Sequence, residues 1–214
     1  MTDLIKNWEN NSHEPMFQRL RGKIHPGPPL KQRLSNTIYR LQTISHNLND
    51  NSSKLEQRAK GFFEKCAEAQ LAKDPERATI YANECAEIRK MARTVLRSQL
   101  AIEQVMIRME TIKDMGDVAM MMGPVVSIVQ SVKNQLTGVM PQVSYELSSV
   151  GETLNSLVVE AGEATGSGYD MVTSGDEAQN ILREAGAVAE QKMVEKFPEL
   201  TPSAASAEEE NASK

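Results

Sequence analysis

The sequence predicts an all-α protein, a long antiparallel helical hairpin followed by further amphipathic helices and a flexible acidic C-terminal tail. Three observations predict it. Apolar residues form 40% of the 214-residue chain but aromatics only 4%, so Leu, Ile, Val, Met and Ala carry most of the apolar share. Apolar positions recur at three, four and seven residues over most of the length, the period of a helix face. Proline and glycine clusters fall between these runs rather than inside them. The 12 methionines suit extended, adaptable helix seams better than one spherical core.

Residues 1–25 read as an amphipathic arm. Leu4, Ile5 and Trp8 share one side of a first helical turn. Pro15 opens a second turn with Phe17, Leu20 and Ile24 on one side and Arg19, Arg21 and Lys23 towards the other. Apolar burial and attraction to anionic headgroups add in such a segment, so the arm is read as membrane-binding. Trp8 taken alone fits equally an arm packed on its own domain or on a neighbouring subunit.

The run His25-Pro26-Gly27-Pro28-Pro29 cannot be helical throughout and separates the arm from a core spanning 26–161. Within the core, a hairpin is expected over 30–115. Leu34, Leu41, Leu48, Leu55, Phe62 and Ala69 repeat at seven, with Ile38, Ala59 and Cys66 offset by four. Ser45, Ser52 and the asparagines around Asp50 mark the weakest stretch of this helix. Asp74 and Pro75 suit the N-cap and first position of a second helix, in which Tyr81, Ile88, Val95, Ile102 and Met109 repeat at seven. Reflection about this turn places Cys66 near Cys85 and Phe62 near Ala86.

An elbow is expected over 116–124, around Gly116 and Gly123-Pro124, with Met120, Met121 and Met122 as an adaptable joint. A further helix is expected over 125–160. Its stripe, including Val125, Val129, Val132, Leu136, Val139 and Val143 and running on to Leu157, is interrupted only by Gly138 and Pro141. Two hairpin helices already cover each other. A third stripe of this length therefore packs against another subunit or folds back, and these six residues are the self-assembly candidates. Residues 162–176 read as a Gly/Ser/Thr linker, and 177–196 as a short helix with a Ser174/Glu177 capping box. Residues 197–214 form the expected disordered tail.

Charge divides the chain. Residues 1–110 carry 18 Lys and Arg against 13 Asp and Glu, whereas residues 111–214 carry 6 against 16, so the halves are +5 and −10. A basic first half suits an anionic surface, with Lys31, Arg33 and Arg40 joining the arm as membrane-binding candidates, and an acidic second half can screen it or fold back on it. Solvated helices that merely differ in charge give the same totals. Arg89, Lys90, Arg93 and Arg97 raise nucleic acid as a competing partner. Glu84, Glu87 and Glu103 among them favour helix-to-helix ion pairs between subunits, so no nucleic-acid partner is expected.

Chemistry is sparse. His13, His25 and His46 lie in separate segments without ligand spacing, Cys66 and Cys85 form no CxxC pair, and no phosphate loop occurs. No catalytic residue, metal or cofactor is expected, and the two thiols read as small buried apolar groups of a reducing compartment. No signal peptide or membrane span is expected either.

The order of arm, Pro-rich break, long hairpin, Gly-Pro elbow, further helix and acidic tail resembles ESCRT-III proteins. The runs LIKNW, GKIHPGPPLKQRLSNTIYRLQ and FPELTP are similar to archaeal CdvB-like division paralogues. The resemblance implies a closed monomer that opens into filaments with itself and with other ESCRT-III-like subunits. In these, hairpins would stack side by side, present N-terminal and first-helix basic residues to anionic lipid at the inner face of the cell membrane, and constrict a neck during archaeal cytokinesis. It also implies disassembly by an AAA ATPase whose MIT domain takes Phe197, Pro198, Glu199, Leu200 and Pro202 as an extended peptide. Phe197 stands where Leu or Ile is usual, and Thr201 separates Leu200 from Pro202. As an isolated hexapeptide the run serves equally as a helix stop. From the residues alone, a soluble coiled-coil adaptor is the alternative to a membrane polymer.

Overall fold

The computed structural model describes residues 29–115, 118–165 and 171–197, with side chains omitted at 115–120 and 164–174. Five helices account for the described residues: α1 (Leu30–Leu71), α2 (Pro75–Met115), α3 (Val118–Leu136), α4 (Pro141–Thr165) and α5 (Met171–Lys196). The all-α class and the long hairpin expected from periodicity are both present.

α1 and α2 are 42 and 41 residues long and pair antiparallel along their length. At 1.5 Å per residue each spans about 60 Å. α1 opens on Pro29, whose carbonyl accepts from the amides of Gln32 (2.8 Å) and Arg33 (3.1 Å). It closes in a Schellman motif: the Lys73 amide donates to Gln70 O (3.0 Å) and the Asp74 amide to Ala69 O (2.9 Å). Lys73 takes the left-handed conformation this motif requires, at φ 56°. Asp74 then caps α2, its Oδ1 accepting from the Arg77 amide at 3.1 Å, with Pro75 at the first helical position.

The hairpin register differs from simple reflection. The Cys66 thiol donates to Ala78 O and the Cys85 thiol to Ala59 O, both at 3.4 Å, and the Phe62 ring meets Tyr81 with centroids 6.3 Å apart. Cys66 is thus opposite Ala78 rather than Cys85, and Phe62 opposite Tyr81 rather than Ala86. The reason is the turn. The tight Schellman reversal at 72–74 brings α2 back several residues sooner than a looser loop would.

The region expected as one further helix is a second antiparallel hairpin, α3 with α4. Gly138 and Pro141 do not merely interrupt the stripe but end α3. Val139 and Met140 amides both donate to Leu136 O (3.0 and 2.7 Å), and Pro141 starts α4. The Ser144 hydroxyl pins the turn by donating to Lys133 O at 3.0 Å. The elbow also differs, since Pro124 lies inside α3. A proline there forfeits one backbone bond, a cost of about 3 kcal/mol. Met122, Val125 and Ile128 beside it are fully buried, and that packing keeps the helix continuous. Similarly, much of 162–176 is helical, since α4 continues to Thr165 and α5 begins at Met171, leaving Ser174 inside α5 rather than at its cap.

The second hairpin packs on the open end of the first. Leu34, Ile38, Leu41, Ile44 and Leu48 of α1 and Val95, Ile102, Val105, Met109 and Ile112 of α2 share one core with Val125, Val129, Val132 and Leu136 of α3 and Val143, Leu147, Val150, Leu154 and Leu157 of α4. α5 lies across α2 and α3, burying Ala178, Ala185, Ala189 and Met193. Beyond this end the first hairpin continues towards its turn as a two-helix rod, holding Cys66, Ala69 and Ala78 in a narrow seam.

Candidate membrane and assembly surfaces

Leu4, Ile5, Trp8, Phe17, Arg19, Arg21 and Lys23 of the arm lie outside the described residues, as do Pro198, Glu199, Leu200 and Pro202 of the tail. The remaining candidates fall on three surfaces.

On α1, the cations expected to act together separate. At about 100° per residue, Arg33 and Arg40 share a face and Lys31 stands nearly opposite it. α4 covers Arg33 and Arg40. Arg33 is paired with Glu160 and donates to Ser156 Oγ at 3.0 Å, and Arg40 donates to Ser149 Oγ at 3.0 Å. Lys31 is exposed. The low exposure of the Arg33 side chain, 22%, makes this more than a loose surface pair.

On the second hairpin, Val125, Val129, Val132, Leu136 and Val143 are buried and Val139 is half-buried, all within this one chain. The open end of the first hairpin and the α3–α4 pairing supply the partner. Folding back is therefore the arrangement adopted here, and any use of these residues between subunits requires the second hairpin to leave the first.

On α2, a row of arginines faces α5. Arg108 pairs with Glu177 and Arg93 with Glu190 (3.2 Å), while Arg97 passes close to Gly186, where an added Cβ would meet its Nη2 at 3.2 Å. Arg89 stacks over the ring of Phe197, 5.6 Å from its centroid. Lys196 reaches across to Glu56 of α1 at 3.1 Å. This row includes three of the four cations that raised a nucleic-acid partner. α5 of the same chain occupies it, whereas the interleaved charges on α2 suggested helix-to-helix ion pairs between subunits. The alternation of small residues on α5, Ala178, Ala185, Gly186 and Ala189, was the overlooked signal that this helix approaches a neighbour closely.

Among the described residues no three His, Cys, Asp or Glu are placed to hold a metal ion, and no helix is long and apolar enough to cross a membrane. Cys66 and Cys85 are buried and unbridged.

Comparison with known proteins decides the family. Cell division protein B1 of Sulfolobus acidocaldarius is 44% identical over 172 residues, covering 80% of each chain. The chain belongs to the archaeal CdvB-like cell division family. Cell division protein B of the same organism is a second relative, 32% identical over 178 residues that cover 83% of this chain and 67% of that protein. No protein-family model and no solved structure matches the chain. For a CdvB-like chain, the all-α double hairpin fits the ESCRT-III-like architecture that the order of its segments resembles.

Proposed function

We propose that this CdvB-like chain takes part in archaeal cell division as a membrane-remodelling filament subunit. It acts at the inner face of the cell membrane, assembles with copies of itself and with related subunits on anionic lipid, and is released by an AAA ATPase acting through an MIT domain. The observation that carries the division role is the 44% identity to cell division protein B1 across most of both chains. The assembly part is supported by an apolar stripe that two hairpins bury by folding on one another, a packing that a second subunit can substitute for. The amphipathic arm and the basic first half support the membrane part.

Electron microscopy of the protein with and without anionic vesicles tests this reading. Filaments or coated tubes are expected. Discrete dimers or tetramers that ignore vesicles would instead identify a soluble coiled-coil adaptor. For the ATPase, a peptide spanning Glu195 to Ser203 should bind the MIT domain and its Leu200→Ala variant should bind more weakly. Equal binding would remove Leu200 from the contact.

A further inference from the structure

The outer face of α4 is acidic and partly apolar. Within Pro141–Thr165 the charged residues are Glu146, Glu152, Glu160 and Glu163, with no lysine, arginine or histidine among them. Arg33 takes Glu160. Glu152 and Glu163 are exposed, and neither makes an ion pair among the described residues. On an ideal helical wheel these two carboxylates fall within a sector of about 40° together with Tyr145 and Val159. Those two side chains are 79% and 59% exposed. A single exposed apolar residue is ordinary, but Val159 stands between two unpaired carboxylates, and that combination complements a basic amphipathic segment.

The described chain begins beside this face. α4 runs antiparallel to α1, with Glu160 at Arg33 and Ser149 at Arg40, so the start of α1 at Leu30 is level with Glu163. The preceding residues 15–25 contain Arg19, Arg21 and Lys23 and no carboxylate, with Phe17, Leu20 and Ile24 among their apolar members. The lengths agree as well. Residues 25–29 extend to at most about 17 Å, enough to turn back across a helix of about 10 Å diameter. A helical segment over 15–24 is about 15 Å long, and Glu152 and Glu163 stand about 16 Å apart along α4.

We propose that residues 15–24 fold back along the outer face of α4 of their own chain. Phe17, Leu20 and Ile24 then lie on Val159, and the long stems of Arg19, Arg21 and Lys23 carry their charges round to Glu152 and Glu163. The occupant is the same chain because Pro29 tethers the segment within reach of the face. The tether gives an effective concentration on the order of millimolar, which a second copy at micromolar concentration does not match. The acidic tail is a poorer occupant, since Glu208, Glu209 and Glu210 have the same sign as the face they would meet. The contact joins two parts of one chain and does not depend on lipid.

Hydrogen exchange of the full-length protein without lipid tests the proposal. At low salt the amides of residues 16–24 should be protected, and high salt should weaken that protection by screening the exposed charges. The variant Glu152→Gln/Val159→Ser/Glu163→Gln should lower it several-fold, with unchanged circular dichroism because all three side chains are exposed. Carbodiimide coupling then identifies the neighbour. In an equal mixture of isotope-labelled and unlabelled protein, Lys23 should become linked to Glu152, and each link should join residues of one chain. Amides of 16–24 that exchange at the rate of an unstructured chain overturn the proposal, as does protection that the triple variant retains in full. Coupling of Lys23 only to carboxylates outside α4 overturns it as well. Links between labelled and unlabelled chains overturn the assignment to the same chain and place the segment on a second copy.

Discussion

The Arg89 guanidinium covers the ring of Phe197, and the same ring touches both the Ala59/Cys85/Ile88 cluster and the Ala92/Leu96/Ala189/Met193 cluster. The residue that would open the tail motif is thus seated on the hairpin, and its amide continues the α5 ladder to Met193 O at 2.8 Å. Phe197→Ala should cost about 2 kcal/mol, less than a fully buried Phe because the ring is only half-buried. The loss should be local. Hydrogen exchange should show α5 residues 186–196 losing protection while the seam of α1 and α2 keeps it. Unchanged protection in α5 would mean that the contact does not anchor the helix.

Lys73 is the one non-glycine residue with positive φ among the described residues, at 56°, and it occupies the C′ position of a Schellman motif where glycine is usual. The left-handed conformation costs a side chain about 1 kcal/mol, while glycine pays nothing there. Lys73→Gly should raise the unfolding midpoint by a few degrees, and Lys73→Val should lower it, since a β-branched residue tolerates this region least. Thermal melts of the two variants should therefore move in opposite directions, and parallel shifts would show that backbone conformation is not what the turn depends on.

Much of this fold was legible because helical hairpins write themselves in period seven. Leu34 to Ala69 and Tyr81 to Met109 announced two long helices, and Asp74-Pro75 announced the reversal. Three features escaped. The register slipped because reflection says nothing of how tight the turn is, and a Schellman motif with lysine at C′ leaves no glycine to mark it. Val125 to Leu157 looked like one stripe because both helices of the second hairpin share the same spacing, so the break rested on Gly138 and Pro141 alone. The covering of Arg33 and Arg40 was hidden because the partners, Ser149, Ser156 and Glu160, stand more than 100 residues away. Charge counts over halves of the chain detect that complementarity but cannot assign it to pairs.

The corrected register has a chemical consequence. Cys66 faces Ala78 and Cys85 faces Ala59, so the two thiols lie about two helical turns apart along the seam, roughly 10 Å, beyond the reach of a disulfide. Mild oxidation of the native protein should leave two titratable thiols after unfolding. Ala78→Cys should change that, because the new thiol stands opposite Cys66, and an intrachain 66–78 bridge should appear by peptide mass spectrometry. A native 66–85 bridge would restore the reflected register and contradict the seam described here.

Ser98 offers the cleanest gain in stability. It is fully buried in α2, and its hydroxyl has no hydrogen-bond partner among the described residues. A buried hydroxyl left unpaired costs on the order of 1–3 kcal/mol, and alanine is about 0.5 kcal/mol better than serine in a helix interior. Removing one oxygen leaves a void smaller than a methyl group, so the packing loss is the smaller term. Ser98→Ala should therefore stabilise the protein by about 1 kcal/mol, a rise of roughly 2–4 °C in Tm for a chain of this length. Ser35→Ala provides the comparison. Its hydroxyl is exposed and already donates to Lys31 O at 3.0 Å, so its replacement should stay within about 0.5 kcal/mol of the parent. If Ser98→Ala instead lowers Tm, the hydroxyl has a partner in solution, and the seam between α1 and α2 is more polar at its centre than its apolar stripe suggests.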